Sequence, residues 1–167
     1  MRTITLIYDG TFNTYRWLKA MMWARNEFHD LGYKIKYASI FDYVPYPKST
    51  KVPYEGIKLK WDTIGRFDIV FLAFHQSLIG QNSEKRIALV KSLKQKCKLL
   101  CWLDTADSTG TCLFDVLPYV DLYFKKQLLK DTNLYTNEFY CARLYSDYYH
   151  QKLGLTDESL ACLLYTS

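Results

Sequence analysis

"FDIVFLAF" (67–74) decides the predicted fold, because this stretch is apolar at almost every position. A strand inside a parallel sheet is covered by helices on both faces, so its sequence is a continuous apolar run without alternation. "CKLLCWLD" (97–104) has the same character. The intervening residues 82–96 fit a helix, with Asn82 or Ser83 as its cap and lysines in its last turn. These segments predict two inner strands joined by a helix.

The N-terminal segments continue this alternation. "TITLIYD" (3–9) is a β-branched strand sequence. Residues 13–32 follow at helical spacing, with Asn13 or Thr14 as the cap and Gly32 as the terminator. The predicted core face of this helix consists of Trp17, Ala20, Met21, Ala24, Phe28 and Leu31.

Turn residues and apolar spacing assign the remaining segments. They are a strand at 33–41, a loop rich in proline and lysine at 42–62, a short helix at 110–120 that Pro118 helps to end, a fifth strand at 121–126, and helix and loop at 127–154. The predicted class is α/β, a Rossmann-like, open, mostly parallel sheet with helices on both faces.

Composition agrees with one globular domain, since 49% of the 167 residues are hydrophobic and 23% are charged. No apolar run approaches the roughly 20 residues that cross a bilayer, and the N-terminus lacks the pattern of a secretory signal. We therefore expect a cytoplasmic protein. Cys97 and Cys101 lie about 13 Å apart along one predicted strand. They are too distant to share a disulfide or a metal ion, and we expect reduced core thiols.

The net charge of +5 is spread along the chain. There is no zinc-ligand spacing, no RNP-type aromatic motif and no basic helix, so nucleic acid is not an expected partner. A weakly basic surface suits an anionic lipid or a phosphorylated ligand, but ordinary variation is the best explanation of the charge.

Ligands of open α/β sheets bind outside the carboxyl ends of the strands, where the strand order reverses. Four predicted strands contribute polar residues there, and these form the candidate ligand-binding set. The residues after the first strand are Asp9, Gly10, Thr11 and Phe12, and those after the third are His75, Gln76 and Ser77. The segment Asp104 to Thr109, which includes Asp107 and Ser108, follows the fourth strand, and Lys125 and Lys126 follow the fifth.

Asp104 and Asp107 allow three interpretations: a catalytic carboxylate pair, a metal site, or the polar end of a buried strand. Helix capping is the main expectation for Asp107, whereas Asp104 at the strand tip is the better ligand contact. His75 is a candidate base or a hydrogen-bonded structural histidine. Gly10 lets a phosphate or a sugar hydroxyl approach the helix start, or it simply forms a tight turn. No metal or cofactor is predicted.

From about residue 65, "FDIVFLAFHQSLIG", "CWLDTADSTG" and, above all, "PYVDLYFKKQLLKD" (118–131) resemble bacterial glycosyltransferases of the two-domain GT-B type found in surface-polysaccharide gene clusters. The resemblance implies two facing Rossmann-like domains. This chain would be the first, which binds a glycan or lipid-linked acceptor, and a second domain would hold the nucleotide-sugar donor. No catalytic base can be carried over, so His75 and Asp104 stay candidates.

The resemblance also bears on the loop and on the end of the chain. A basic loop with Lys48, Lys51, Lys58 and Lys60 would suit an anionic lipid-linked acceptor and peripheral attachment to the inner membrane face, although a solvated loop is the simpler interpretation. The segment "LACLLYTS" (160–167) ends in "CLLYTS", which resembles translated sequencing-library adapter. We therefore expect a native domain at 1–159 that is a fragment without its donor domain and has no transfer activity alone; a native apolar tail is the alternative.

A flavodoxin-type binding or electron-transfer module is the competing class, because "DGTFNT" distantly resembles a threonine-rich phosphate loop and aromatic residues could flank a flavin. Asp9 counts against it, since its carboxylate would repel a phosphate. A response-regulator receiver is disfavoured further, because the first strand ends in a lone acid and the third is followed by His75.

Overall fold

A computed structural model describes residues 1–9, 12–39, 57–58, 65–74, 83–105, 112–142 and 144–156. Six strands form one sheet in the order β3-β2-β1-β4-β5-β6. They are β1 (Arg2–Tyr8), β2 (Tyr33–Ser39), β3 (Ile57–Lys58), β4 (Phe67–Ala73), β5 (Cys97–Asp104) and β6 (Leu122–Lys125). All pairings among β1 to β5 are parallel. The sheet is Rossmann-like, as predicted, and β4 lies between β1 and β5.

Within the described residues, four α-helices accompany the sheet: α1 (Phe12–Trp23), α2 (Arg25–Asp30), α3 (Ser83–Lys94) and α4 (Leu144–Leu153). Short 3₁₀ helices cover Phe114–Tyr119, Thr132–Thr136 and Tyr140–Ala142. The connection from β1 to β2 and the connection from β4 to β5 run toward opposite edges of the sheet. Right-handed crossovers therefore place α1 and α3 on opposite faces. In the part of the chain that the structure describes, no helix is long and apolar enough to cross a membrane.

The described residues fall into two compact units. The first comprises Met1–Thr105 and Phe114–Phe124, and the second comprises the described residues of Ala106–Leu113 and Lys125–Ser167. The first unit contains the sheet through Phe124, together with α1, α2 and α3. Within the second, Asp131 caps the 3₁₀ helix that follows it by accepting a hydrogen bond from the Asn133 amide at 3.0 Å.

The register of the parallel strands builds the core in rows across the sheet. Leu6 lies beside Tyr37 on one side and Phe71 on the other. Since side chains alternate between faces, Ile4, Leu6 and Tyr8 point to one face, where they pack with Tyr15 and Leu18 of α1. The other face contains Ile7, Val70, Leu72, Leu100 and Trp102, all fully buried. Burial on both faces explains the continuous apolar run of β4.

The first predicted helix differs from the observed structure in its buried face and in its continuity. The helix is broken at Ala24 into α1 and α2, and Gly32 at φ +84° ends the segment as predicted. Trp17 and Leu31 were expected in the core but are 47% and 72% exposed. Tyr15 and Leu18 are buried instead, because they form the stripe that contacts β1. Since α1 begins at Phe12, neither Asn13 nor Thr14 is its cap.

The cysteines of β5 agree with the expectation of reduced core thiols. Cys97 and Cys101 are both free, and Cys101 is fully buried. Burial raises the pKa of each thiol to about 11, so the thiolate is scarce at neutral pH. Cys141, in the second unit, forms a disulfide, which the sequence did not predict.

A buried arginine joins α3 to the 3₁₀ helix Phe114–Tyr119. The side chain of Arg86 is only 7% exposed, and its Nη2 lies 2.5 Å from Oδ2 of Asp115. Arg86 Nε lies 3.2 Å from Oδ1 and 3.1 Å from Oδ2 of the same carboxylate. The hydroxyl of Ser83, the first residue of α3, donates to Asp115 Oδ2 at 2.6 Å. The carboxylate of Asp115 therefore bonds two residues of α3, Ser83 and Arg86, and holds α3 against the 3₁₀ helix Phe114–Tyr119.

A second carboxylate joins α3, β5 and the start of β6. Asp121 Oδ2 accepts a hydrogen bond from the Leu100 amide at 2.7 Å, and the Asp121 amide donates to the Leu100 carbonyl at 2.8 Å. Lys94 donates to Asp121 Oδ1. The hydrogen bond from Lys94, followed by that from Leu100, lowers the pKa of Asp121. This carboxylate therefore fixes the edge of β5 beside the entry to β6.

We expect Asp115→Ala to lower the free energy of unfolding by about 2–3 kcal/mol, because it leaves the buried Arg86 guanidinium without its carboxylate. Urea denaturation measures the change. Asp30→Ala is the matched control, since Asp30 is 85% exposed and its contact with His29 is 3.8 Å long. That variant should change stability by less than about 0.5 kcal/mol. Equal effects of the two substitutions would contradict a structural role for the buried pair.

The lowered pKa of Asp121 predicts a specific pH dependence of stability. A carboxylate with a folded pKa below its unfolded value of about 3.8 stabilises the fold above that value, and this contribution is lost as the pH falls through the folded pKa. The stability gap between the wild type and Asp121→Asn should therefore be largest near neutral pH and shrink below about pH 4. Its size should stay under about 1 kcal/mol, since both side chains are partly exposed. Thermal melts across that range measure it, and a constant gap would refute the interpretation.

Candidate functional site

The carboxyl ends of β1, β4 and β5 meet at one edge of the sheet, because these strands are parallel neighbours. The chain passes from β1 toward β2 on one side and from β4 toward β5 on the other. The strand order therefore reverses between β1 and β4, which is the place where open α/β sheets bind ligands. The residues that follow these strands define the candidate site.

Two carboxylates and one aromatic ring form a row across this edge. Tyr8 lies beside Ala73, and Ala73 lies beside Leu103. The next residue of each strand gives the row Asp9, Phe74 and Asp104, which alternation places on the face opposite Tyr8. With strands about 5 Å apart, the backbones of the two acids are separated by roughly 10 Å, one on each side of Phe74. The exposed fractions of the three residues are only 3%, 2% and 2%.

A stacking contact with Trp102 holds the ring of Phe74 in place. Its ring stacks on Trp102 with a centroid distance of 5.9 Å and an interplanar angle of 28°. Trp102 is fully buried, and its Nε1 has no hydrogen-bond partner among the described residues. The same holds for the hydroxyl of Thr105, which follows Asp104 and is 6% exposed. A buried polar atom left without a partner is costly, so these two atoms are places where a further polar group would be stabilising.

Tyr123 of β6 determines the position of the Asp104 carboxylate. The Tyr123 hydroxyl donates a hydrogen bond to Asp104 Oδ2, and the Tyr123 ring meets Phe114 edge-on at 5.6 Å. A phenol oxygen that donates one hydrogen bond still has lone pairs that accept others. Tyr123 is half-buried as a residue, and the Asp104 carboxylate that accepts from its hydroxyl is buried.

The structure brings together two of the sequence-predicted site residues and leaves others untested. Asp9 and Asp104 share the carboxyl edge, as expected, but both are buried. Lys125 and Lys126 are half-buried and belong to the second unit. Phe12 is the first residue of α1, and the structure does not describe its side chain. The remaining predicted site residues also lie outside the described residues: Gly10, Thr11, His75, Gln76, Ser77, Asp107 and Ser108.

Two residues of the site were missed in the sequence, Phe74 and Tyr123, whereas Thr105 lies within the candidate range Asp104 to Thr109. Phe74 was assigned to the end of a strand, although its place directly before His75 marks the same edge. The sequence predicts only that Tyr123 lies in the fifth strand, and its hydrogen-bond partner Asp104 lies 19 positions earlier. No local pattern connects residues at that separation, so the pair becomes visible only when β5 and β6 are assembled.

Neither metal ligation nor family membership identifies this site. Among the described residues, no group of three or more His, Cys, Asp or Glu side chains is placed to bind a metal ion. No protein-family model matches the chain, and no match was found among curated proteins or solved structures. What defines the site is a row of two buried carboxylates and one aromatic ring at the carboxyl edge of a Rossmann-like sheet, with a tyrosine hydroxyl bonded to the carboxylate of Asp104.

Proposed function

We propose that this chain is the acceptor-side domain of a glycosyltransferase of the GT-B type, with a glycan or lipid-linked acceptor bound at the carboxyl edge of the sheet. The observation that carries the proposal is the row of Asp9, Phe74 and Asp104 at the reversal point, with Tyr123 on Asp104. The reaction class itself comes from the sequence resemblance around residues 118–131.

The chemistry of the edge favours sugar hydroxyls over phosphate. Carboxylates accept hydrogen bonds from hydroxyl groups and repel anions, so two of them beside the reversal point suit a neutral polyol. Their burial strengthens such hydrogen bonds, because the local dielectric is low. We assign Tyr123 as the contact with the acceptor and Asp104 as the group that orients it, since Tyr123 is the less buried of the two.

The complete enzyme would hold the nucleotide-sugar donor in a second domain. An acceptor hydroxyl would attack the anomeric carbon, the nucleoside diphosphate would leave, and a base would take the hydroxyl proton. Asp104 and His75 are the candidates for that base.

Substitutions that keep the shape of the site test this proposal in the complete gene product. We expect Asp104→Asn and Tyr123→Phe each to lower kcat/KM at least about tenfold, because each removes one charge or one hydroxyl from the acceptor site. Transfer to glycan and lipid acceptors from a panel of nucleotide-sugars measures the change. Asp131→Asn is the control, since Asp131 only caps a 3₁₀ helix.

The Asp104 to Tyr123 hydrogen bond also links β5 to β6, so each variant is melted as well as assayed. Loss of transfer with a melting temperature within about 5 °C of the wild type supports acceptor binding. Unchanged transfer in both variants would refute the proposal. Loss of transfer that follows the loss of folded protein would assign the hydrogen bond to the fold alone.

A flavodoxin-like flavin module is the second candidate, and one observation favours it. When the two-residue strand β3 is set aside, the five longer strands have the order 2-1-3-4-5, which is the flavodoxin-like order. The buried carboxylate of Asp9, directly after β1, opposes a phosphate at that position. We therefore expect no FMN binding to the purified chain in a fluorescence titration. Binding of FMN in a one-to-one ratio would replace the glycosyltransferase proposal.

A further inference from the structure

β6 is an edge strand of the described sheet. In the strand order it has β5 on one side and no described strand on the other. The Asp121 amide donates to the Leu100 carbonyl at 2.8 Å, so Asp121 presents its backbone to β5. Backbone groups alternate in direction along a parallel strand, so Tyr123 also faces β5, whereas Leu122 and Phe124 present their amides and carbonyls to the outer edge. The outer side of β6 therefore has the geometry to pair with one more strand.

The side chains of this edge are apolar and exposed. Leu122 and Phe124 are both 46% exposed. The centre of the Phe124 ring lies 6.0 Å from that of Phe71, on the face of the sheet where α1 packs, and alternation places Leu122 on the same face. Phe114 and Leu117, in the 3₁₀ helix before β6, are exposed as well. An edge strand with exposed apolar side chains is a typical place for pairing with another chain.

We propose that β6 pairs antiparallel with β6 of a second copy of this chain, so that the two sheets join across a two-fold axis. Such an axis requires a self-complementary interface, in which residue i contacts residue j and j contacts i. Hydrogen bonds form between residues that both face outward, so the register that pairs the two outward residues places Leu122 opposite Phe124 of the second copy. Tyr123 then lies on the axis beside its own copy.

Charge complementarity favours this register and a second copy as the occupant. The same pairing sets Asp121 opposite Lys125 of the second copy, once on each side of the axis. The Asp121 side chain is 31% exposed and keeps its contact with Lys94, because a carboxylate accepts from several donors. The neighbouring register sets Leu122 opposite Lys126 and loses both the apolar pair and the opposite charges. A second copy therefore supplies the apolar and charged residues that this edge matches.

The interface is short, so we expect a weak dimer. The outward residues of the two strands exchange roughly four hydrogen bonds, and we expect the contact to bury less than the roughly 1,200–2,000 Å² of a stable interface. Sedimentation velocity of the purified chain should therefore show monomer at low micromolar concentration and dimer at high micromolar concentration. This inference does not rest on the glycosyltransferase proposal, since sedimentation measures no transfer.

Substitutions at Leu122 assign the dimer to β6. Leu122→Pro removes an amide that points away from β5, and proline is tolerated at the first residue of an edge strand. Since the two-fold axis doubles each loss, the dissociation constant should rise at least about tenfold, with a melting temperature within about 5 °C of the wild type. Leu122→Thr keeps the backbone and removes only the apolar pair, so it should weaken the dimer at least about threefold. Trp23→Gln, which removes an exposed ring of α1, is the control and should dimerise like the wild type.

A wild-type chain that stays monomeric at high micromolar concentration would overturn the proposal. A folded Leu122→Pro variant that dimerises like the wild type would do the same. If Leu122→Pro does not fold, Leu122→Thr decides, and an unchanged dissociation constant in that variant refutes pairing through β6. A dimer that is lost in Trp23→Gln but kept in both β6 variants would assign the contact to α1 instead.

Discussion

Burial of β4 on both faces between β1 and β5 is the constraint on which the rest of the structure depends. Val70 and Leu72 are inaccessible to solvent, and neighbours in register extend their rows into both adjacent strands. A slip of one residue would exchange the faces of β4 and place Asp68 among the apolar rows. This register also aligns the strand ends, so the same constraint that forms the core brings Asp9, Phe74 and Asp104 into one row.

Charged side chains connect the inner strands to the segments that follow them. Arg86 with Asp115 and Lys94 with Asp121 both run from α3 to the short segment before β6. Near the amino ends of the inner strands, Asp68 of β4 accepts a hydrogen bond from the Thr3 amide at 3.1 Å and from Lys98 at 2.8 Å. Each carboxylate bridges two segments that are distant in sequence, and each therefore contributes specificity of docking more than bulk stability.

The carboxyl edge of the sheet and the outer face of α1 show opposite consequences of burial. At the carboxyl edge, polar groups lie where water is largely excluded, which strengthens hydrogen bonds and makes unpartnered atoms such as Thr105 Oγ1 costly. On α1, apolar rings remain exposed because the helix uses Tyr15 and Leu18 for its contact with β1. A helix has only one core-facing stripe, so the choice of stripe decides what the other side presents to solvent.

Apolar periodicity is a local signal, so it is sufficient to predict the class of fold and most of the strands. Residues 67–74 and 97–104 were placed as inner strands, and the alternation with helices gave the parallel sheet. Tertiary structure decided which face of α1 is buried, the break at Ala24, and the partners of the acidic residues. Trp17 and Tyr15 lie on opposite sides of α1 and belong to two competing apolar stripes, and only the position of the helix over β1 selects between them. Asp104 and Tyr123 are likewise 19 positions apart, and the pair exists only once β5 and β6 are assembled.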